Sequence, residues 1–241
     1  MPRSKFDSIY KDLKNKIEYG IYPYQELLPS ENAMVEIYSC SRNTIRRAVA
    51  LLAEEGYVLS LQGKGVRIIY QPVQQAHFTV GGIESFKESA RRNHLNVATK
   101  VMKFAEILCD ERISTKTGFP LGSELYYVQR VRYLDGKALI LDVNMFLKEK
   151  VPGLTPEICQ KSVYDYIEDQ LHMQIVTSKR TITVEHASQI DEQYLELKDY
   201  DCLAVVTSQT FNAEGIMFEY TQSRHRPDYF CFQDTASRKR T

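Results

Sequence analysis

Between Leu28 and Val66 the chain spells out two helices and a hairpin in immediate succession, and that order leaves few folds open. Ser41 stands where a hydroxyl accepts a bond from an orphan first-turn amide, which predicts a helix from Ser41 to Glu54. At about 100° per residue, Ile45, Ala48, Val49 and Leu52 collect on one side, and Arg42, Asn43, Arg46 and Arg47 on the other. A solvated helix face ordinarily mixes charge signs, whereas this one carries no carboxylate before Glu54 and Glu55. Upstream, Pro29 stiffens the approach and Ser30 caps a second helix with a predicted buried stripe of Ala33, Met34, Ile37 and Tyr38. Ser39 and Cys40 leave only a tight turn between the two helices, the spacing of a helix-turn-helix. Phe6, Ile9, Tyr10, Leu13 and Ile17, closed by Gly20, predict a third helix sharing the same core.

After Gly56, the run Tyr57 to Leu61 alternates like a strand, and Val66 to Tyr70 answers it across Gln62-Gly63-Lys64-Gly65. Alone, that tetrapeptide reads as an ordinary solvated turn. Beside a cationic helix it reads as a wing, with glycines that let backbone approach a duplex and Lys64 reaching a groove. The helix N-terminus adds amides and a positive dipole end, both of which favour phosphate. A guanidinium grips guanine bidentately, so Arg42 and Arg46 are the candidates for base edges, and Thr44, Arg47 and Lys64 for phosphates. Ser30, Ser41, Asn43, Gln62 and Gly63 complete the predicted DNA-binding set.

With 241 residues, of which 43% are hydrophobic, the chain has material for a second core beyond this head, predicted to span residues 1–70. Net charge is zero, and residues 1–70 hold ten Lys and Arg against eight Asp and Glu, so affinity for nucleic acid must come from local placement of charge. Cys40, Cys109, Cys159, Cys202 and Cys231 are odd in number and never spaced Cys-x-x-Cys, which predicts reduced thiols and a cytoplasmic setting. The first five residues carry no apolar leader, and no stretch approaches the roughly 18 apolar residues of a membrane span.

Gln71-Pro72-Val73-Gln74-Gln75-Ala76 is polar and proline-containing, and predicts a linker within residues 71–80 ahead of a second domain at 81–241. That domain reads as an α+β assembly, an antiparallel sheet flanked by helices. Its predicted strands are Val97–Leu108, Leu125–Leu134 turning at Asp135-Gly136, Ala138–Phe146, Lys179–Ala187, Leu203–Asn212 and Ile216–Arg224. Val163–Leu171 and Gln189–Leu197 read as helices. Arg130 and Arg132, two apart, share one sheet face, where paired guanidiniums suit a phosphate or carboxylate; two exposed arginines covering a sheet with their stems would look the same. Ser85, Ser162 and Tyr164 offer hydroxyls, and Asp142, Glu185, Glu219 and His225 offer partners for sugar hydroxyls. Paired carboxylates also raise a glycosidase, which needs two acids flanking one bond. No metal-ligand spacing appears among the histidines, no nucleophile signature is present, and nothing calls for a cofactor, so an enzyme is the weaker class.

The ordered set Leu28-Pro29-Ser30-Glu31, Ser41-Arg42-x-Thr44-Ile45-Arg46-x-Ala48, Leu52, Glu55-Gly56-Tyr57 and Gly63-Lys64-Gly65 resembles the winged helix-turn-helix of the GntR family of bacterial transcription regulators. Arg130-x-Arg132-x-x-Asp135-Gly136, Ser162 to Ile167, and Glu219-Tyr220-x-x-Ser223-x-His225-Arg226-Pro227 resemble the UTRA effector domain of its HutC subfamily. The resemblance implies a chorismate-lyase-like fold serving as a ligand sensor, not a catalyst. It also implies that Ser85, Arg130, Arg132, Ser162 and Tyr164 line a phosphate end, while Glu219 and His225 face a sugar. Many relatives carry tyrosine where His225 stands. Gly82 to Glu88, which includes Phe86 and Lys87, Ile140-Leu141-Asp142, and Tyr220 to Arg226, which includes Arg224, resemble members that repress trehalose operons. Trehalose 6-phosphate is then the implied effector, with a homodimer on palindromic double-stranded operator DNA. A relative sensing another phosphosugar, such as N-acetylglucosamine 6-phosphate, or a carboxylate is the alternative.

Overall fold

A computed structural model of the chain describes residues 5–71, 79–80, 83–92 and 95–232, which divide into two compact units at residues 5–71 and 79–232. Of the linker predicted at 71–80, residues 72–78 lie outside the described residues, as do Gly81 and Gly82.

The first unit packs α1 (Lys5–Glu18), α2 (Glu31–Tyr38) and α3 (Arg42–Glu54) against a hairpin of β1 (Val58–Leu61) and β2 (Gly65–Ile68). Its core is built from Ile9, Leu13 and Ile17 of α1, all four apolar residues foreseen in α3, and Val58 and Ile68 of the hairpin. Ser30 and Ser41 each cap their helix, accepting bonds from the amides of Ala33 and Thr44 at 3.2 Å. Ser39 takes a left-handed φ of 47°, which lets eight residues of α2 turn at once toward α3. The predicted α2 stripe needs correction. Met34 is buried, but Ile37 is 58% exposed, because the short helix meets the core over one turn only. Polar ties supplement that contact: the Tyr38 hydroxyl donates to Asp12 at 2.5 Å, Tyr57 to Glu18 at 2.5 Å, and Tyr10 to Glu55 at 2.5 Å. The hairpin strands are shorter than foreseen, since Tyr57 and Tyr70 leave the ladder and stack at 4.6 Å.

The second unit is organised by a six-stranded antiparallel sheet of β4 (Val97–Leu108), β5 (Glu124–Leu134), β6 (Lys137–Leu147), β7 (Ile175–His186), β8 (Cys202–Asn212) and β9 (Met217–His225), in the order β4-β5-β6-β9-β8-β7. Asp135 and Gly136 both adopt positive φ, 48° and 81°, as a two-residue hairpin turn requires. One sheet face carries Val131, Leu141, Leu203 and Val205 under Leu195, Leu197 and the helix at Gln189–Tyr194. The helix predicted to reach Leu197 stops at Tyr194, and Leu195 turns extended to bury its side chain there. The other face carries Tyr126, Val128 and Phe146 under the segment Val151–Ile167. That segment holds a helix at Pro156–Lys161, a short turn at Val163–Asp165 and a π-turn at Tyr166–Gln170, where one continuous helix was expected from Val163. Helices at Phe86–Arg92 and Glu111–Thr117 were not foreseen. β3 (Thr79–Val80), within the stretch expected as linker, pairs parallel with β10 (Cys231–Phe232). No described helix is long and apolar enough to cross a membrane.

The contrast between two α-helical residues tests this packing. Leu52→Ala should cost about 2–5 kcal/mol of unfolding free energy, whereas Ile37→Ala should stay within about 0.5 kcal/mol, as read by urea denaturation.

Candidate functional site

A pocket opens on the sheet face that carries Arg130 and Arg132, enclosing about 990 Å3 of space counted out to its solvent-filled mouth. Side chains alternate along a strand, so Arg130 and Arg132 of β5, Ile140, Asp142 and Asn144 of β6, and Glu219, Thr221, Ser223 and His225 of β9 all enter it. The two guanidiniums are each 5% exposed. Arg132 donates from Nε to Asp142 Oδ2 at 2.8 Å and from Nη1 to Thr99 at 2.7 Å, and the Phe86 ring covers it at 4.6 Å. Arg130 donates from Nε and Nη2 to Asn144 Oδ1, at 3.1 and 2.8 Å, and its Nη2 lies 3.9 Å from Asp142. The Ser223 hydroxyl donates to the second Asp142 oxygen at 2.6 Å.

Charge at this end is unbalanced. Burial, with Arg130 beside it, pulls the Arg132 guanidinium down to about 10, so it stays cationic at neutral pH. Burial pushes Asp142 up, but Arg132, Arg130 and the Ser223 hydroxyl outweigh it and hold the carboxylate ionised below its usual range. Asp142 thus lies within 4 Å of both buried cations, Glu219 is a second buried carboxylate on which the Arg130 charge acts, and an anion entering the pocket is drawn to the arginine pair.

Toward the other strands, Glu219 accepts from the Tyr164 hydroxyl at 2.8 Å, from Thr221 at 2.9 Å and from Asn144 at 3.3 Å. Burial raises its pKa despite these bonds, and raises Tyr164 well above the ordinary phenol. His225, 4% exposed and packed on Phe230 at 5.0 Å, is depressed to about 4 by burial, so it enters the pocket as a neutral ring. Ser85 and Ser162 reach the pocket as helix caps. Ser85 accepts from the Glu88 amide at 3.2 Å while Glu88 accepts from the Ser85 amide at 2.8 Å, and Ser162 accepts from the Asp165 amide at 3.2 Å. Lys87 stands at the rim, 3.7 Å from Asp165.

Ten of the twelve effector candidates therefore line one pocket. Glu185 and Arg224 do not. Arg224 lies between Ser223 and His225, and the two-residue repeat of the strand turns it to the opposite face. There it binds Glu185 at 2.6 Å and the fully buried Asp191 at 2.8 Å. Asn144, Ser178, Arg180, Ser208, Thr221 and Ser223 line the pocket without having been foreseen. Asn144, Thr221 and Ser223 had a signal, being two residues from chosen neighbours on the same strands. Ser178, Arg180 and Ser208 had none, because only the pairing of β7 with β8 and β8 with β9 brings them in.

In the first unit, Arg42 and Asn43 are exposed beside the α3 cap, and Gln62, Gly63 and Lys64 are exposed at the hairpin tip, where Gly63 holds a φ of 70°. Thr44 is half-buried and bonds Ser41 hydroxyl to hydroxyl at 2.9 Å. Arg46 is tied to Glu31 of α2 at 2.9 Å, and the Arg47 guanidinium lies 3.7 Å from the Phe6 ring. Among the described residues, no cluster of three His, Cys, Asp or Glu is placed to hold a metal ion.

Comparison with known proteins agrees with this architecture. Residues 5–68 match the bacterial regulatory proteins of the gntR family, and residues 92–231 match the UTRA domain. The chain is 38% identical over 238 residues, covering 99% of both sequences, to the HTH-type transcriptional regulator TreR of Bacillus subtilis (strain 168). It is 28% identical to the HTH-type transcriptional regulator GmuR of the same organism, over 94% of this chain and 96% of that one. Among solved structures, the effector-binding domain of the B. subtilis trehalose repressor aligns at 37% identity with a TM-score of 0.54, covering 59% of this chain and 99% of that one. A possible transcriptional regulator, YydK of B. subtilis, shares the fold at 21% identity and a TM-score of 0.82, over 97% and 100% of the two chains. These relatives are transcriptional regulators, not enzymes. The chain belongs to the GntR family of bacterial transcription regulators, in the HutC subfamily that pairs a helix-turn-helix head with a UTRA effector domain.

Proposed function

We propose that this regulator is a cytoplasmic, homodimeric repressor of a trehalose-utilisation operon and that trehalose 6-phosphate releases it from a palindromic operator. The observation that carries the reading is the buried pair Arg130 and Arg132, both within 4 Å of Asp142, in a pocket rich in hydroxyls. Two fixed guanidinium forks suit the several oxygens of a phosphate better than a neutral sugar. Ser85 and Ser162 border that end, and Glu219, Thr221 and His225 border the rest. The choice of trehalose rests on one relative, TreR of B. subtilis, 38% identical over the full chain and 37% over its effector-binding domain, whose structure is described as that of the trehalose repressor.

On the DNA side, Arg42, Asn43 and Lys64 are presented without a protein ion pair among the described residues, which suits base edges and phosphates. Arg46, held by Glu31, then serves to fix α2 against α3 as well as to meet DNA. Two heads joined in a dimer grip two half-sites, and tethering raises the effective concentration of the second. A hundredfold loss of operator affinity on effector binding requires about 2.7 kcal/mol of coupling. A same-family regulator tuned to another phosphosugar would share the arginine pair and differ at Glu219 and His225.

A gel shift of operator fragment, titrated with trehalose 6-phosphate, trehalose, glucose 6-phosphate and N-acetylglucosamine 6-phosphate, should show release by the first at the lowest concentration. Release by trehalose as readily as by its phosphate would remove the phosphate anchor. Arg130→Ala protein, checked for an unchanged melt, should still shift the fragment yet resist release by at least a hundredfold higher ligand. Arg42→Ala should weaken the shift about fivefold to 150-fold, corresponding to roughly 1–3 kcal/mol for a base-reading contact, and leave the effector titration of the remaining complex in place.

A further inference from the structure

The pocket draws its lining from strands across the sheet, from β5 to β7. Its arginine pair stands on β5, while Arg180 enters it from β7, the far edge of the sheet. Four strand spacings separate β5 from β7, about 19 Å between backbones at about 4.8 Å each. The register aligns the contents of that trough. Val128, Asn144, Thr221, Ser208 and Arg180 form one cross-strand row, and Arg130, Asp142, Ser223 and Val206 form the adjacent row on the same face. A single pyranose ring spans little more than one strand spacing, so a monosaccharide phosphate anchored at Arg130 and Arg132 ends over β6 and β9.

Beyond that point the trough is still built for a polyhydroxylated ligand. Val206 supplies an apolar floor, Ser178 and Ser208 supply hydroxyls, and Arg180 supplies a charged donor. The half-buried Ser208 hydroxyl bonds to no described residue, although it faces the cavity. Ser178 makes one bond, at 3.3 Å, to Thr210. The Arg180 charge acts on the Tyr164 phenol, which donates to Glu219, and Arg180 enters from β7 while the arginine pair enters from β5.

We propose that Arg180, Ser178 and Ser208 form a second carbohydrate subsite, so that the pocket selects a phosphorylated disaccharide over a phosphorylated monosaccharide. The inference rests on the phosphate-anchor reading above and adds the residues that recognise the distal ring. Arg180 donates to its hydroxyls, Ser208 exchanges bonds with them, and the ring lies on Val206.

Calorimetric titration of the full chain with trehalose 6-phosphate, maltose 6-phosphate, glucose 6-phosphate and inorganic phosphate tests it. The unaltered protein should bind a disaccharide phosphate at least tenfold more tightly than glucose 6-phosphate. Arg180→Ala should weaken the disaccharide phosphate at least tenfold and change glucose 6-phosphate and inorganic phosphate by less than twofold. Ser208→Ala, a milder change if Arg180→Ala fails to fold, should weaken the disaccharide phosphate about threefold to fivefold and the others not at all. Arg130→Ala should weaken all four. Equal loss across the ligands in Arg180→Ala, or no loss in either subsite variant, overturns the second subsite while leaving the anchor intact. Phosphate ligands that bind Arg130→Ala as well as the unaltered protein overturn the anchor itself.

Discussion

Two buried guanidiniums held by one carboxylate are the constraint on which the effector unit is arranged. Taking a charge out of water costs several kcal/mol, and a buried ion pair recovers that only with good geometry and further hydrogen bonds. Asp142 supplies the geometry, with Arg132 at 2.8 Å on one oxygen and Ser223 at 2.6 Å on the other, and Asn144 supplies the extra bonds to Arg130. Well-packed apolar residues often fill such a space with no loss of stability, so the buried arginine pair fits the proposed reading that the pocket receives an anion. The alternation of the antiparallel sheet makes the arrangement possible, because it aims every second side chain of β5, β6 and β9 at one concave face while Val131, Leu141 and Val205 build the core on the other.

The head obeys a different constraint. Its middle helix has only eight residues, and its core relies on Ile9, Leu13, Ile45 and Leu52, each nearly or fully buried. Tyrosine–carboxylate bonds from Tyr10, Tyr38 and Tyr57 and the Glu31–Arg46 pair then lock the helices at fixed angles. In the proposed dimer, geometry can decide operator affinity: two heads match two half-sites together or lose both grips together. Effector and operator are then linked through the free energy of one rearrangement, and the coupling must be felt equally from both sides.

Much of this was legible in the residues before any coordinates. The caps at Ser30 and Ser41, the buried face of α3, the hairpin at Asp135-Gly136 and the shared face of Arg130 and Arg132 all follow from local periodicity or turn chemistry. Ile37 shows the limit of periodicity, which names a face but not how much of a short helix the core can cover. Arg224 shows another, since its charge and its neighbours suggested the pocket while strand alternation turned it to Asp191. Arg180 and Ser208 were out of reach because their part in the pocket exists only after β7, β8 and β9 have paired, a long-range event with no local signature.

The most direct test of the whole account is reciprocity. Trehalose 6-phosphate affinity should be measured calorimetrically on the free protein and again with saturating operator duplex. The account predicts that the duplex weakens effector binding by the same factor, on the order of a hundredfold, by which effector weakens operator binding. Identical effector affinity with and without the duplex would contradict it, because the pocket and the head would then be independent sites on one chain.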